Sequence, residues 1–218
     1  MILTNLWSNP FDNAIAIWFS NLFNSFPEAI KEIVITFSAL GNQGIFLLLL
    51  TIIFLCFKKT RTIGFLFMIS LIFSLVFNDL IFKNIFNRTR PFNDPELVKL
   101  LPSIVENNGE PLPIIPGSKS FPSGHTFSSF VCFGSVLFYY LFAKEKGKGE
   151  LAFAIFMGVY SLLMGLSRIL LSHHYATDVI AGMLLGLLFG YLAYLTYKYF
   201  PLVISKVKSK FIKEEVKE

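Results

Sequence analysis

The chain has 218 residues, 54% of them hydrophobic and only 15% charged, with 26 phenylalanines and a formal net charge of +5. Long uncharged runs at that composition exclude an ordinary water-soluble domain and indicate an integral membrane protein. The basic residues sit scattered at the edges of apolar runs and form no continuous stripe, which argues against nucleic acid and for lipid headgroups or phosphates as partners.

The first residues lack a basic segment followed by a compact apolar core, so no cleavable signal is expected. Over 11–26, Phe11, Ala14, Ile15, Trp18, Leu22 and Phe26 share one helical face, while Asp12, Asn13, Asn21 and Asn24 fall mainly elsewhere. That pattern predicts an amphipathic helix lying in the membrane interface. Pro27 starts a second short helix, broken near Gly41-Asn42-Gln43-Gly44. Ile45 to Phe57 is apolar apart from Thr51, but too short to cross about 30 Å of hydrocarbon alone, so this first span must borrow from 33–44. Further spans are expected over about 62–86, 122–142, 151–171 and 175–199, with a polar, proline-rich loop between the first two of these and a lysine-rich tail at the end. The two cysteines, Cys56 and Cys132, lie in apolar runs and make no disulfide framework.

The expected architecture is an all-α membrane bundle of about five transmembrane helices, forming one domain over 1–218. Interfacial helices occupy 1–40, the catalytic core 41–199 and a cytoplasmic tail 200–218. Lys58, Lys59, Arg61, Lys144, Lys146, Lys148 and the lysines of the tail fall on one side, which the positive-inside rule makes cytoplasmic. The 87–121 loop and the Ser167–Asp178 stretch then share the outer face of a cell (inner) membrane.

Three polar clusters meet on that face. Lys83 is followed seven residues later by Arg90-Pro91. Pro122-Ser123-Gly124-His125 opens the third long span. Ser167-Arg168 leads to His174 and Asp178, which are four apart and share a helical face. Ionisable groups beside membrane helices are costly and mark function. Arginine's planar fork and a lysine point charge suit phosphate oxygens, and the free N–H groups of a helix start attract anions. A carboxylate readies an imidazole for nucleophilic attack, and a second imidazole can move the protons. A metal reading, with His125, His174 and Asp178 as ligands, is disfavoured by the three nearby cations. No cofactor or metal is therefore called for.

Taken in order, Lys-x6-Arg-Pro, Pro-Ser-Gly-His and Ser-Arg-x5-His-x3-Asp resemble the three signatures of the type-2 phosphatidic acid phosphatase family, itself similar to the vanadium-dependent haloperoxidases. The resemblance implies a helical core with its site at the outer membrane face. It implies that Lys83, Arg90, Ser123, Gly124 and Arg168 bind phosphate, that His125 is the acid–base, that His174 is the nucleophile and that Asp178 orients it. The implied activity is metal-independent hydrolysis of a lipid phosphate or diphosphate through a phosphohistidine. Undecaprenyl diphosphate is favoured, from likeness to compact relatives, over phosphatidylglycerol phosphate and phosphatidic acid. A phosphotransferase acting on another lipid acceptor and a non-catalytic lipid transporter are the alternatives.

Several neighbours invite plainer readings. His173 is expected at the interface or as a supporting donor, Arg88 as a headgroup contact, and Asp79 as a structural partner of Lys83. Gly182, Gly186 and Gly190 are expected to mediate close helix packing. The 92–121 loop is expected to be either a lid or a spacer, and phenylalanine-lined grooves are expected to take the lipid tail.

Overall fold

The computed structural model describes residues 9–101, 119–143 and 147–215. Two helices of moderate length come first, α1 (Pro10–Asn24) and α2 (Glu28–Ala39). The Asn9 side chain accepts a hydrogen bond from the Phe11 amide at the start of α1, with Pro10 in the first turn, where its missing N–H costs nothing. A tight turn at 40–44 ends on Gly44 with φ 68°, a left-handed conformation that glycine adopts without strain. The apolar helix α3 (Ile45–Cys56) follows. Its 12 residues reach only about 18 Å. The turn keeps α3 separate from α2, so the first expected span is a short apolar helix that borrows nothing from 33–39.

Among the described residues four helices are long and apolar enough to cross a membrane: α4 (Arg61–Phe86), α5 (Gly124–Phe142), α6 (Lys148–Leu170) and the Ala176–Leu202 part of α7 (Ala176–Glu215). Each falls within a few residues of its expected span. α7 runs on past Pro201 into the lysine-rich tail as helix. Within α4, Ser74–Phe82 winds as a wider π-type helix, which rotates the residues after it, Lys83 among them, relative to the earlier turns. Among the described residues the only β-type pairing is a bridge between Thr89 and Lys119, which ties the two ends of the long loop together.

α5 and α7 form the closest helix pair, with α4 and α6 packed against α5. The contact is close because glycine removes the side chains that would hold the helices apart. A Cβ on Gly190 would lie 2.8 Å from Gly134 Cα, and one on Gly186 would lie 2.6 Å from Phe130 Cβ. The glycine repeat thus serves packing inside the bundle. Phe73, Phe77, Phe82, Phe127 and Phe189 form an aromatic cluster between α4, α5 and α7. A second core gathers Leu47, Phe67, Val136, Met157 and Met164.

α1 packs on the bundle through a face that its apolar stripe does not mark. It buries Asp12, Ala16, Ser20 and Phe23 against α6 and α7, while Phe11 and Trp18 of the apolar stripe are exposed. The buried side is mixed, with Asp12 drawn inward to the Arg88 guanidinium while Ile15 and Phe19 pack beside Ile169, Ala176 and Val179. Of the 92–121 loop, Phe92, Leu97 and Leu101 pack on Ala16 of α1 and on Tyr175. Asp94 holds this stretch by accepting from the Glu96 and Leu97 amides. The rest of the loop, on which the lid reading turned, lies outside the described residues.

Candidate active site

Lys83 stands in the last turn of α4, His125 in the first turn of α5, and His174 in the tight connection between α6 and α7. Lys58 and Lys59 lie just before the opposite end of α4, so the site and these lysines are a helix length apart. A cavity of about 540 Å³ opens at the site end, lined by Lys83, Arg90, Gly124, His125 and His174 together with Asp79. It continues between α3 and α4 along Gly44, Leu48, Leu71 and Leu75. Its apolar wall is therefore leucine, and the phenylalanines expected to line a tail groove fill the bundle instead.

Not every expected phosphate ligand lines that cavity. Lys83 does, with its ammonium 2.5 Å from Asp79 Oδ1, as the i,i+4 spacing predicts. Asn78 Nδ2 donates to the same carboxylate oxygen. Gly124 lets these groups close in, since a Cβ there would stand 3.1 Å from Asn78 Nδ2 and 3.2 Å from Lys83 Nζ. Ser123 is buried, and its oxygen accepts from the Thr126 hydroxyl. Its amide donates to the Asp178 carbonyl at 3.1 Å, joining the second motif to the third through backbone. The Ser123 side chain makes no capping bond to the first turn of α5, whose amides remain directed at the site end.

Arg168 is buried behind the cavity, donating to Ser38 of α2 at 2.6 Å and to Nδ1 of His173. Among the described residues neither Arg90 nor Arg168 has a carboxylate within ion-pair distance, and the Nε–H of each is buried without a partner. Burial lowers the Arg90 pKa, against the pull of Asp178. Two sheltered guanidiniums without counter-ions make a region that favours an anion.

His174 is almost fully buried. Its Nδ1 lies 3.6 Å from Asp178 Oδ2, beyond hydrogen-bond length, and 3.4 Å from the Ser120 hydroxyl, which itself donates to that carboxylate oxygen. Ser120 therefore stands beside the His–Asp contact, and Nε2 is left as the ring nitrogen for the cavity. Asp178 also accepts from the Tyr175 amide at 2.9 Å and from Arg88 at 2.6 Å. His125 Nε2 lies 3.1 Å from Asn42 Oδ1, in the turn before α3. Among the described residues no group of three or more His, Cys, Asp or Glu side chains is arranged to hold a metal ion.

Arg88 departs most from expectation. It is buried, not at a headgroup surface, and bridges Asp12 and Asp178 at 2.6 Å each, with its guanidinium 4.1 Å from the Tyr175 ring centre. The coulombic pull of Asp178 and Asp12 outweighs burial and raises its pKa. Arg88, Ser120, Ser38 and Asn42 contact fixed motif residues and Asp12 reaches Asp178 through Arg88, yet none of the five is itself a fixed motif position, so spacing alone gives no reason to single them out.

His173 and His174 both lie outside the spanning segments. Burial lowers the His173 pKa to about 3, assisted by Arg168 and Arg90. Burial first, then Arg90 and Arg168, lowers that of His174 well below 6.5. Both rings are therefore neutral in the fold, and the unfolded chain binds more protons than the native one below about pH 6.5. Stability is expected to fall as pH drops from 6.5 toward 3, by up to about 1.4 kcal/mol per pH unit per histidine. Unfolding midpoints of purified protein in detergent across that window check it, and a flat profile refutes it.

The model of the PAP2 superfamily matches residues 61–201. The chain belongs to that superfamily. Among PAP2 relatives, phosphatidylglycerophosphatase B of Bacillus subtilis is 39% identical over 77 residues, 34% of this chain and 37% of that protein. The undecaprenyl-diphosphatase of Sulfolobus acidocaldarius is 32% identical over 136 residues, 62% of this chain and 56% of that one. The match thus spans from about a third to little more than half of these curated relatives. The crystal structure of a PAP2 type phosphatidylglycerolphosphate phosphatase from Bacillus subtilis shares the fold, with a TM-score of 0.62 at 24% identity, covering 93% of this chain and 92% of that one. As a PAP2 protein with, among the described residues, four helices long and apolar enough to span and a shorter apolar one, this chain is a multi-pass membrane protein.

Proposed function

We propose that this chain is a lipid phosphate or diphosphate phosphatase that works through a phosphohistidine on the extracytoplasmic side. The observation that carries the reading is a single cavity holding both His125 and His174 beside cations, with an apolar extension toward the lipid-facing side between α3 and α4. A headgroup phosphate would occupy the polar end and an acyl or prenyl chain would leave past Leu48 and Leu75.

In the first step His174 Nε2 attacks phosphorus, the bond to the leaving oxygen breaks, and His125 gives that oxygen a proton. In the second, water attacks the phosphohistidine as His125 takes the water's proton, the N–P bond breaks, and inorganic phosphate leaves. Lys83, Arg90 and Arg168 offset the negative charge that builds on the phosphoryl oxygens, and the amides at the start of α5 add oriented dipoles. Asp178, with Ser120 beside it, holds the His174 tautomer and favours its charge as the N–P bond forms. The placement of Lys58, Lys59, Arg61 and Lys148 away from the site end supports the sidedness.

Among substrates, undecaprenyl diphosphate is favoured, in keeping with the diphosphatase relative; phosphatidylglycerol phosphate and phosphatidic acid come next. The test is phosphate release by purified protein in detergent with excess chelator, across these three lipids side by side. Release from at least one, fastest from the prenyl diphosphate, is expected. No release from any of them overturns the proposal.

A further inference from the structure

The superfamily match begins at residue 61 and so leaves out α1, α2 and α3. The first two helices and the turn after them nevertheless contact three motif-bearing groups. Asn42 meets His125, Ser38 meets Arg168, and Asp12 reaches Asp178 through Arg88. The last of these is the most deeply buried, with side chains of Asp12, Arg88 and Asp178 exposed by 1%, 3% and 0%.

Asp12 uses both its oxygens. Oδ2 accepts from Arg88 Nη2 at 2.6 Å and from the Thr177 hydroxyl at 2.5 Å, while Oδ1 accepts from the Thr177 amide at 3.1 Å. It therefore grips the first turn of α7, next to Asp178, as well as the guanidinium. Arg88 Nη1 donates to Asp178 Oδ1 and to the Thr177 hydroxyl. Asp178's other oxygen accepts from Ser120 and the Tyr175 amide, and lies nearest His174.

Charge decides what this arrangement does. Arg88 and Asp178 alone would form a neutral pair, leaving little negative potential at His174 Nδ1. A second carboxylate at the same 2.6 Å from the guanidinium makes the trio net negative, so Arg88 is shared equally and does not neutralise Asp178 alone. We propose that Asp12 is a positioning residue for catalysis, holding Arg88 so that Asp178 keeps both its place and its charge against His174. α1 is then a working part of the site, and the proposal rests on the reading of His174 as nucleophile and Asp178 as its orienter.

Asp12→Asn tests this with little change of shape, because the amide oxygen can still accept from Thr177. In purified protein its kcat is expected to fall about 10- to 100-fold, with KM nearly unchanged, since no substrate contact is lost. Acting through Asp178, it is expected to cost almost nothing further in an Asp178→Asn background, read as the single-turnover rate of phosphoenzyme formation. Arg88→Lys, which cannot bridge two carboxylates in the same way, is expected to show the same non-additivity and serves should Asp12→Asn fold poorly. A kcat equal to wild type, or an equal fractional loss with and without Asp178, overturns the proposal. Wild-type turnover measured alongside carries the functional reading, and the ratio of variant to wild type carries this one.

Discussion

His174→Ala is expected to cut lipid phosphate hydrolysis by about 10⁴-fold or more, the scale seen when an attacking group or its base is removed. The proposed N–P bond needs an imidazole nitrogen facing the cavity, and His174 offers Nε2 there while Nδ1 lies toward Asp178 and Ser120. Wild-type protein quenched during turnover is expected to carry a phosphoryl label that acid releases and base does not, as for phosphohistidine; the variant should carry none. His173→Ala is the internal contrast. It removes an acceptor from Arg168 and a ring packed on Phe92 but no reacting atom, so its loss is expected within about tenfold, or about 1.4 kcal/mol. Equal losses at the two positions, or a label that survives His174→Ala, would refute the assignment.

The second large effect belongs to His125. Replacing it with alanine is expected to slow hydrolysis of a lipid phosphate by about 10²- to 10⁴-fold, the usual contribution of a placed acid–base. The loss should depend on the leaving group in a way that a folding defect cannot imitate. An aryl phosphate leaves without needing a proton, so the first step should be largely spared, while hydrolysis of the phosphohistidine still lacks its base. A burst of aryl alcohol followed by slow turnover is the expected signature, with phosphoenzyme accumulating. Uniform loss on both substrates without a burst would assign His125 a structural role, held by Asn42 at 3.1 Å.

Much of the architecture was legible in the order of residues. Apolar runs over about 62–86, 122–142, 151–171 and 175–199 fall where α4 to α7 stand, because a bilayer leaves a chain little choice but to close its backbone hydrogen bonds within helices. The glycine repeat at 182, 186 and 190 also reads directly, since close approach depends on what those residues lack. Where a sequence rule failed, it failed through a partner that the rule cannot see. Periodicity places Asp12 merely off the apolar stripe of α1, yet it packs inward because Arg88, distant in the chain, meets it there. The extent of the first span was a local matter instead: the chain turns at Gly44, inside the break expected near 41–44, and α2 stays a separate helix.

By itself, then, the sequence determined the helical membrane class, the places of the long spans and the candidate chemistry. Hydrophobic length and local motifs are properties of contiguous residues. Only the tertiary structure decided that Arg88 is shared between Asp12 and Asp178, that Ser120 stands beside His174, and that Arg168 leans on Ser38 and His173. Those contacts join residues up to 130 apart in the chain. A buried charge must find a counter-charge or a hydrogen-bonding partner wherever the fold brings one.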